Sequence, residues 1–579
     1  MIKTKIICTL GPAVDNRGIL RKLIRGGMDV ARMNFSHGTH DEQLTRLNTF
    51  RELCAKECQN IPVLLDTKGP EIRLGVFPNG DVEIQEGQKY LLTTQEVDGD
   101  QNRASVSYKG LPNDLCVGNK ISIDDGLVEF EVMKISGNEI HCVAKNSGTI
   151  GTRKGVNIPG ATLSLPSMTQ QDKLDIRFAV EHDYDFIAVS FVRTKYDIAE
   201  VRREIEEAGG GQGIRLIAKI ENRDGVKNLD EIIRAADGIM IARGDLGVEM
   251  PVEEIPVVQK DMILRCYQAS KPVITATQML DSMMRNPRPT RAEVTDVANA
   301  VFDGTSAIML SGETAVGKYP IEALEIMRRI AKSAEQSLDY WERFLQNEKR
   351  TESGITRAIS HATCTTAMDL NATAIVAVTT SGGTARRISS FRPKCPIIAA
   401  TTSKKALRQL RLSWGVYPVL SDVVHSTDEL FSTAVDCAMT TQLVKNGDVI
   451  VVTAGVPLDI SGTTNMLKVH LIGDVLCKGV GIGKRSAMGT VRLVDDRKTA
   501  DIFARGDILV AEEITDMLLP LMPLAGALVL EGMDRDGQAA TLAKTLGLPI
   551  VTEAEGATRL LKPGTMVTVD AGNGTVGVN

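Results

Sequence analysis

The chain has 579 residues, 43% hydrophobic and 24% charged, ordinary for a folded globular protein and enough for roughly three or four domains. A net charge of -6 argues against nucleic acid or an acidic membrane surface as the main partner. No run is long and apolar enough to span a bilayer, and the opening MIKTKIICTLGPA lacks the apolar region of a signal peptide, so the cytosol is the expected location. The ten cysteines are scattered, with no CxxC pair and no Cys/His cluster. Cys54 and Cys58 sit one helical turn apart, but nothing nearby completes a zinc site. Reduced, mostly buried thiols are expected.

Short apolar, β-branched runs recur along the chain, at 4–11, 29–36, 62–67, 186–192, 215–222, 238–244, 272–278 and 307–313. Helix-like segments such as NLDEIIRAA and PVVQKDMILRCYQA lie between them. Buried strands alternating with helices predict parallel βαβ units. Eight of them point to an α/β fold of the (β/α)8 barrel type, with an open doubly wound sheet as the alternative. The barrel is expected over 1–69 and 167–338. The gap between the third and fourth runs is far too long for a loop. That insert, 70–166, holds short alternating runs (DVEIQEG, KYLLTT, KISIDDG, LVEFEVMKI) broken by Gly, Asn and Asp, which predicts a small β-barrel lid. Pro70 and Pro166 at its edges suit stiff hinges. Residues 339–473 read as a smaller αβ regulatory domain with a parallel sheet. Residues 474–579, Gly-rich with short strands, read as an additional C-terminal domain.

In a barrel the chemistry sits where strands end at their carboxyl side, and polar residues gather there. The second run ends in Arg32, Asn34, Ser36 and His37, and the third in Asp66 and Thr67, followed by Lys68, Glu71 and Arg73. The fifth carries Lys219 and Glu221, two positions apart and hence on one face of a strand. The sixth ends in Arg243, Gly244 and Asp245, the seventh in Thr275, Thr277 and Gln278, and the eighth in Glu313. A buried Lys and Glu are costly unless paired, metal-bound or functional, so Lys219 and Glu221 are either a structural ion pair or chemistry.

Residue types narrow that choice. Glu221 and Asp245 lie on consecutive strands and can share one cation, and all-oxygen ligation suits Mg2+ or Mn2+. Lys219 beside such a metal suits a phosphoryl group. Arg32 offers a fork for phosphate or carboxylate, and amides near Gly244 and Asp245 suit phosphate oxygens. Asn34, Ser36, Asp66 and Thr67 supply oxygens for a monovalent-cation cage. GETAVGKY (312–319) has Walker A spacing, but Tyr319 stands where Ser or Thr must hold Mg2+, so it is rejected. In the αβ region, TTSGGTARRI (379–388) follows a strand and precedes a helix-like run. Thr379, Thr380, Ser381, Gly382, Gly383 and Thr384 there form either a phosphate-binding turn or an ordinary capped helix start. SGTTN (461–465) is a second Gly/Thr turn that could lie near it.

The motifs KIICTLGPA, ARMNFSHG, LLDTKGPEIR, KGVNIPG, AKIENRDG, GIMIARGDLG, ITATQML, RPTRAEVTDVANAV and MLSGETAVGKYP, in this order over about 1–473, resemble those of the pyruvate kinase family. The resemblance implies a (β/α)8 domain, a β-rich lid inserted after its third strand and an allosteric domain. It implies phosphoryl transfer from phosphoenolpyruvate to ADP, giving pyruvate and ATP in the last step of glycolysis. Lys219 would stabilise the phosphoryl in flight, Glu221 and Asp245 would bind Mg2+ or Mn2+, and Arg32, Lys219, Gly244, Asp245 and Thr277 would contact phosphoenolpyruvate. Thr277 would belong to the relay that protonates the enolate. Asn34, Ser36, Asp66 and Thr67 would hold K+, with Glu71 matching K+-dependent members. Asn34, His37, Arg73 and Lys154 would contact the nucleotide (without the resemblance, His37 reads sooner as a satisfied loop histidine). A phosphorylated effector and a homotetramer are implied as well.

The tail resembles the mobile phosphohistidine domain of phosphoenolpyruvate-utilising enzymes. MDRDGQAATLAKTLGLPIV aligns Gln538 with the histidine, and no histidine follows His470, so a structural or interfacial tail is expected. Two rival readings remain at this point. One is an Mg-dependent barrel lyase or aldolase acting on a phosphoenolpyruvate-like enolate, which would need neither Lys154 nor the K+ cage. The other is a relative that has lost activity, although no catalytic residue of the pattern is missing.

Overall fold

A computed structural model describes residues 2–577 apart from 125, 162, 212, 348–353, 446–447, 457–463, 474, 495–501, 534–536, 538–540 and 542–544. It divides into two compact units, Met1–Arg357 with Thr379–Asp422, and Ala358–Val378 with Val423–Asn579.

In the first unit eight parallel strands close into a barrel: β1 (Lys5–Leu10), β2 (Val30–Asn34), β3 (Val63–Asp66), β4 (Phe186–Val189), β5 (Arg215–Ile220), β6 (Gly238–Ala242), β7 (Val273–Ala276) and β8 (Ala307–Leu310). Closure is explicit in the register, because β1 pairs with both β2 (Ile7 opposite Val30) and β8 (Lys5 opposite Ala307), which excludes the open sheet. The strands lack polar alternation because both their faces are covered. Ile7, Val30, Leu64, Ile217, Met240 and Ile274 form one buried cluster. Their neighbours along the strands, such as Ile6, Cys8, Leu65 and Leu216, pack with apolar residues of the surrounding helices. Several of those helices begin at capping boxes, Thr39 with Glu42, Thr169 with Asp172 and Thr290 with Glu293, which satisfy first-turn amides.

The insert between β3 and β4 is mostly β, with one short helix, Leu111–Asp114, that the sequence reading did not foresee. Six strands order as 156–157, 120–123, 128–136, 139–144, 89–93 and 103–105, beside a two-stranded ribbon of 82–84 and 148–150. The extended segment 72–75 bonds to both edges of the six-stranded sheet. Leu74 N donates to Lys154 O at 2.9 Å and Val156 N to Ile72 O at 2.8 Å, while Gly75 N donates to Ser105 O at 2.8 Å and Ser107 N to Arg73 O at 2.9 Å. The segment therefore draws the sheet round into a small barrel with its own core, including Ile84, Leu92, Ile121, Phe130 and Ile140.

Further along the first unit, Ile397–Thr401 and Val416–Leu420 pair in parallel. In the second unit Ala374–Val378 pairs in parallel with Val449–Gly455. The wholly parallel sheet expected here needs correction, since Thr464–Leu471 runs antiparallel to Val449–Gly455. Only residues 456–463 join those two strands, and a connection that short suits a hairpin rather than a crossover. The tail forms an eight-stranded mixed sheet in which 486–493, 508–511, 527–530 and 550–552 are parallel neighbours. Gln538 and residues 461–463 of the SGTTN turn lie outside the described residues. All ten cysteines are free, and only Cys58 and Cys116 are exposed. No described helix is long and apolar enough to cross a membrane.

Asp185 anchors the amino end of β4 and is 1% exposed. One carboxylate oxygen accepts Val63 N–H at 3.0 Å and the other accepts Arg408 Nε at 2.8 Å. Asp185→Ala leaves the buried Val63 amide without its acceptor and takes one of two carboxylates from the half-buried Arg408, which keeps Asp183 at 2.7 Å. It is expected to cost the first unit about 2 kcal/mol, read as a lowered denaturation midpoint with turnover kept at low temperature.

Candidate active site at the barrel mouth

The carboxyl ends of the strands bring a dense charge cluster together. Lys219, on β5, has its ammonium 2.9 Å from Glu221 Oε1 and 3.1 Å from Asp66 Oδ1, and it donates to Ser190 Oγ at 2.7 Å. Arg32, on β2, donates from Nε to the other Asp66 oxygen at 2.7 Å and from Nη1 to Thr9 Oγ1 at 2.9 Å. Glu221 Oε2 accepts the Phe191 amide at 2.5 Å. Asp66 and Glu221 are 0% and 1% exposed, so water screens these charges little.

The electrostatics are lopsided. Burial alone would lower the Lys219 pKa, but Asp66, then Glu221 and Asp245, outweigh it and hold the ammonium protonated above its ordinary range. Glu221 is shifted upward as well, which for a carboxylate favours the neutral form. Burial raises its pKa, Lys219 only partly offsets that, and the Asp245 charge raises it further. Two carboxylates that repel in a dry site are short of positive charge, and a divalent cation would supply it. Among the described residues no group of three or more His, Cys, Asp or Glu forms a metal cluster. A two-carboxylate site fits Mg2+ or Mn2+, which keep water and substrate as further ligands. Asp66 Oδ1 is buried and, apart from its ion pair with Lys219, accepts no hydrogen bond of good geometry. An orphaned carboxylate oxygen flanked by Asn34, Ser36 and Thr67 in the sequence pattern fits a monovalent cation as well.

β6 and β7 meet at Gly244 and Thr277. Gly244 N donates to Thr277 Oγ1 at 2.9 Å, and that hydroxyl donates to Ala276 O at 2.6 Å. Thr277 and Gln278 both hold positive φ, 69° and 53°, which costs energy in residues bearing a Cβ; the two hydrogen bonds orient the hydroxyl. Arg243 pins this bend, donating to Thr277 O at 2.7 Å and to Asp296 at 2.7 Å.

Two clefts open on the cluster. One, of about 960 Å3, is lined by Thr9, Arg32, Asn34, His37, Thr277 and Ser311 among others. The second, of about 280 Å3, lies between lid and barrel, with Glu71, Arg73, Lys154, Phe191 and Asp245 in its wall. The residues expected at the nucleotide are thus divided. Asn34 and His37 face the first cleft, Arg73 and Lys154 the second. In the second cleft Arg73 Nε donates to Glu71 at 2.7 Å, and Lys154 bonds Asp124 at 2.7 Å.

Other strand-end residues bond within the fold. Glu313 accepts the amides of Leu280 at 2.9 Å and Ser311 at 2.7 Å, and Thr275 Oγ1 donates to Thr305 at 3.0 Å, away from the mouth. Thr67 Oγ1 accepts Ser190 N at 3.2 Å and donates to Ala188 O at 3.3 Å. Asn34 Oδ1 accepts the Ser36 amide at 3.1 Å. Sequence reasoning missed Ser190, which holds Lys219, and Thr9, which holds Arg32. Both follow the strand-end rule: Ser190 directly follows β4 and Thr9 is the penultimate residue of β1.

Comparison with known proteins agrees with this geometry. The model of the pyruvate kinase barrel domain matches residues 1–324, that of the pyruvate kinase alpha/beta domain 357–470, and that of the mobile domain of PEP-utilising enzymes 503–574. The pyruvate kinase of Geobacillus stearothermophilus is 46% identical over 577 residues, covering 99% of this chain and 98% of its own. That of Sporosarcina psychrophila is 45% identical over 581 residues, covering 100% and 99%. A solved pyruvate kinase from Cryptosporidium parvum superposes with a TM-score of 0.78 at 40% identity, over 82% of this chain and 96% of that one. The chain belongs to the pyruvate kinase family.

Proposed function

We infer that the barrel mouth transfers the phosphoryl group of phosphoenolpyruvate to ADP, giving pyruvate and ATP. The observation that carries this reading is the Lys219 ammonium, buried and protonated between Asp66 and Glu221 at the ends of two barrel strands, β3 and β5. A phosphoryl in transfer spreads negative charge over its oxygens, and a preoriented cation in a dry site stabilises that charge more than water would. Lys219 is the group for this role, with Arg32 binding the substrate phosphate. Arg32 reaches that position already oriented, because Asp66 and Thr9 hold two of its nitrogens. The Gly244 amide and the Thr277 hydroxyl orient phosphoenolpyruvate. Thr277 belongs to the relay that delivers a proton to the enolate carbon, its hydroxyl oriented by its two hydrogen bonds.

Glu221 and Asp245 would hold Mg2+ or Mn2+, and Asn34, Ser36, Asp66 and Thr67 would hold K+. These cations supply charge neutralisation for the two anionic substrates. Asn34, His37, Arg73 and Lys154 bind the nucleotide. The last two lie in the cleft between lid and barrel, so lid movement brings them toward the first pair. Segments 1–69 and 167–338 form the catalytic domain, 70–166 the lid and 339–473 the allosteric domain. Residues 474–579 form a tail that carries no phosphohistidine, since Gln538 occupies that position. A homotetramer in the cytoplasm is the expected working form. ADP-dependent pyruvate formation in a coupled assay tests the reaction; enolate cleavage or condensation without ADP would favour a lyase instead.

The loop at 379–384 supports a phosphorylated effector. Gly382 precedes the helix Gly383–Ser390 with φ 81°, and no side chain caps that helix start. Gly382 N donates to Thr379 Oγ1 at 3.1 Å, and Thr379, Thr380, Ser381 and Thr384 surround the turn with hydroxyls. An effector phosphate here would shift phosphoenolpyruvate affinity through subunit contacts.

Lys219→Met is expected to lower turnover by about 3 kcal/mol of transition-state stabilisation or more, with an unchanged circular dichroism spectrum; near-normal turnover would reduce Lys219 to a structural ion pair. Glu221→Gln and Asp245→Asn are each expected to weaken Mg2+ and Mn2+ activation, and superimposable metal titrations for both variants would remove the assignment. Ser381→Glu with Thr384→Glu should abolish activation by sugar phosphates and nucleotide monophosphates while basal turnover stays. A double variant that still responds to each effector of the parent would move the site elsewhere.

A further inference from the structure

At the opposite end of the barrel from the mouth, a small pocket lies beside Pro272 and Ser306, which directly precede β7 and β8. Its other wall is the helix Gly383–Ser390 and the segment that follows, including Arg386, Arg392 and Trp414. Lys271, Arg386 and Arg392 line it together with serine hydroxyls, and no lining residue is acidic.

Arg392 is 9% exposed. Its Nη2 donates to Gly304 O at 2.9 Å and Ser306 Oγ at 3.0 Å, and its guanidinium lies 4.8 Å from the Trp414 ring centre. Its Nε is buried and has no partner. Lys271 Nζ donates to Ala236 O at 2.6 Å, and Arg386 Nη2 to Ser381 O at 2.8 Å. Carbonyls are the partners of both, and no carboxylate among the described residues is in ion-pair contact with any of the three cations. Asp237, whose charge reaches Lys271 and Arg386, is itself paired with Arg202 and Arg215, each at 2.8 Å. The strain is visible in proton affinity. Burial above all lowers the pKa of Arg386 to about 10, of Arg392 to about 9, and of Lys271 as well.

Glu335, whose charge reaches Arg392, accepts the amides of Lys3 and Thr4. One buried and two half-buried cations with no ion-pair partner among the described residues favour an anion. We propose that this pocket binds a compact oxyanion, of the class of inorganic phosphate, held by Arg392 Nε with Lys271 and Arg386. Size sets the class. The free space of about 20 Å3 is on the scale of one small bound species and leaves no room for a sugar or base. The site is separate from the barrel mouth and from the hydroxyls of Thr379–Thr384.

Crystals of the full chain soaked in selenate, a heavy stand-in for phosphate, give the direct test. An anomalous peak within hydrogen-bonding distance of Arg392 Nε is expected, and its loss in the Lys271→Gln, Arg386→Gln double variant. In solution, inorganic phosphate is titrated calorimetrically into the chain carrying Ser381→Glu and Thr384→Glu, with phosphoenolpyruvate saturating the mouth and ADP left out. Adding Lys271→Gln and Arg386→Gln should weaken the remaining phosphate binding at least about tenfold. A missing peak, a peak kept in the double variant, or a peak with no binding in solution (an ion held at crystal concentration only) overturns the proposal. Density for ribose 5-phosphate at this position would assign the pocket to phosphate esters and overturn the compact-ion reading.

Discussion

Everything at the barrel mouth depends on four charges placed where water screens them little. Asp66 is the hub, because its two oxygens face different cations, Arg32 on one side and Lys219 on the other. In water these pairs would contribute little. In the barrel they fix two long, otherwise mobile side chains in single orientations, and an oriented cation needs no reorganisation when negative charge develops nearby. The cost is a site with unmet charge of both signs. Glu221 resists ionisation because it is buried, and the Asp245 charge adds to that; a metal and a phosphate bound together would relieve the tension. Substrate and cation would thus complete an electrostatic pattern that the protein leaves unfinished.

Much of this was legible in the sequence, for a physical reason. A barrel strand covered on both faces must be apolar throughout, so Lys219 and Glu221 inside such a run stood out at once. The same logic located Arg32, Asp66 and Asp245, each at a strand end. It failed where a strand ends in a small, mild residue, since Ser190 and Thr9 carry no charge to stand out against the pattern. It also marked Glu313 and Thr275, whose types suit chemistry but whose directions serve backbone amides and a neighbouring threonine. Periodicity reports which face a residue takes but not what it meets there. The antiparallel Thr464–Leu471 escaped for a similar reason, because strand direction leaves no trace in hydrophobic pattern and is decided by the length of the connection.

The lid shows how an insertion becomes part of a site. Its core is its own, yet the segment 72–75 that closes it continues directly from Asp66, Thr67 and Glu71 at the end of β3. Arg73, inside the closing segment, and Lys154, whose carbonyl bonds to that segment, therefore belong to the lid's framework and to the cleft wall at once. Two clefts rather than one follow from this arrangement, and a ligand long enough to touch both must draw the lid and the barrel together.

The place of the insertion also governs how the chain comes to be built. β3 pairs with β4 although the whole lid lies between them, and β1 must wait for β8 before the barrel can close. During synthesis the first three strands emerge with no partner for their open edge, and the lid is complete long before the fourth appears. A lid that collapses early onto its own core shortens the effective distance between β3 and β4, turning a costly long-range closure into a nearly local one. The same element whose Arg73 and Lys154 line the second cleft thus acts first as an internal splint for the nascent barrel.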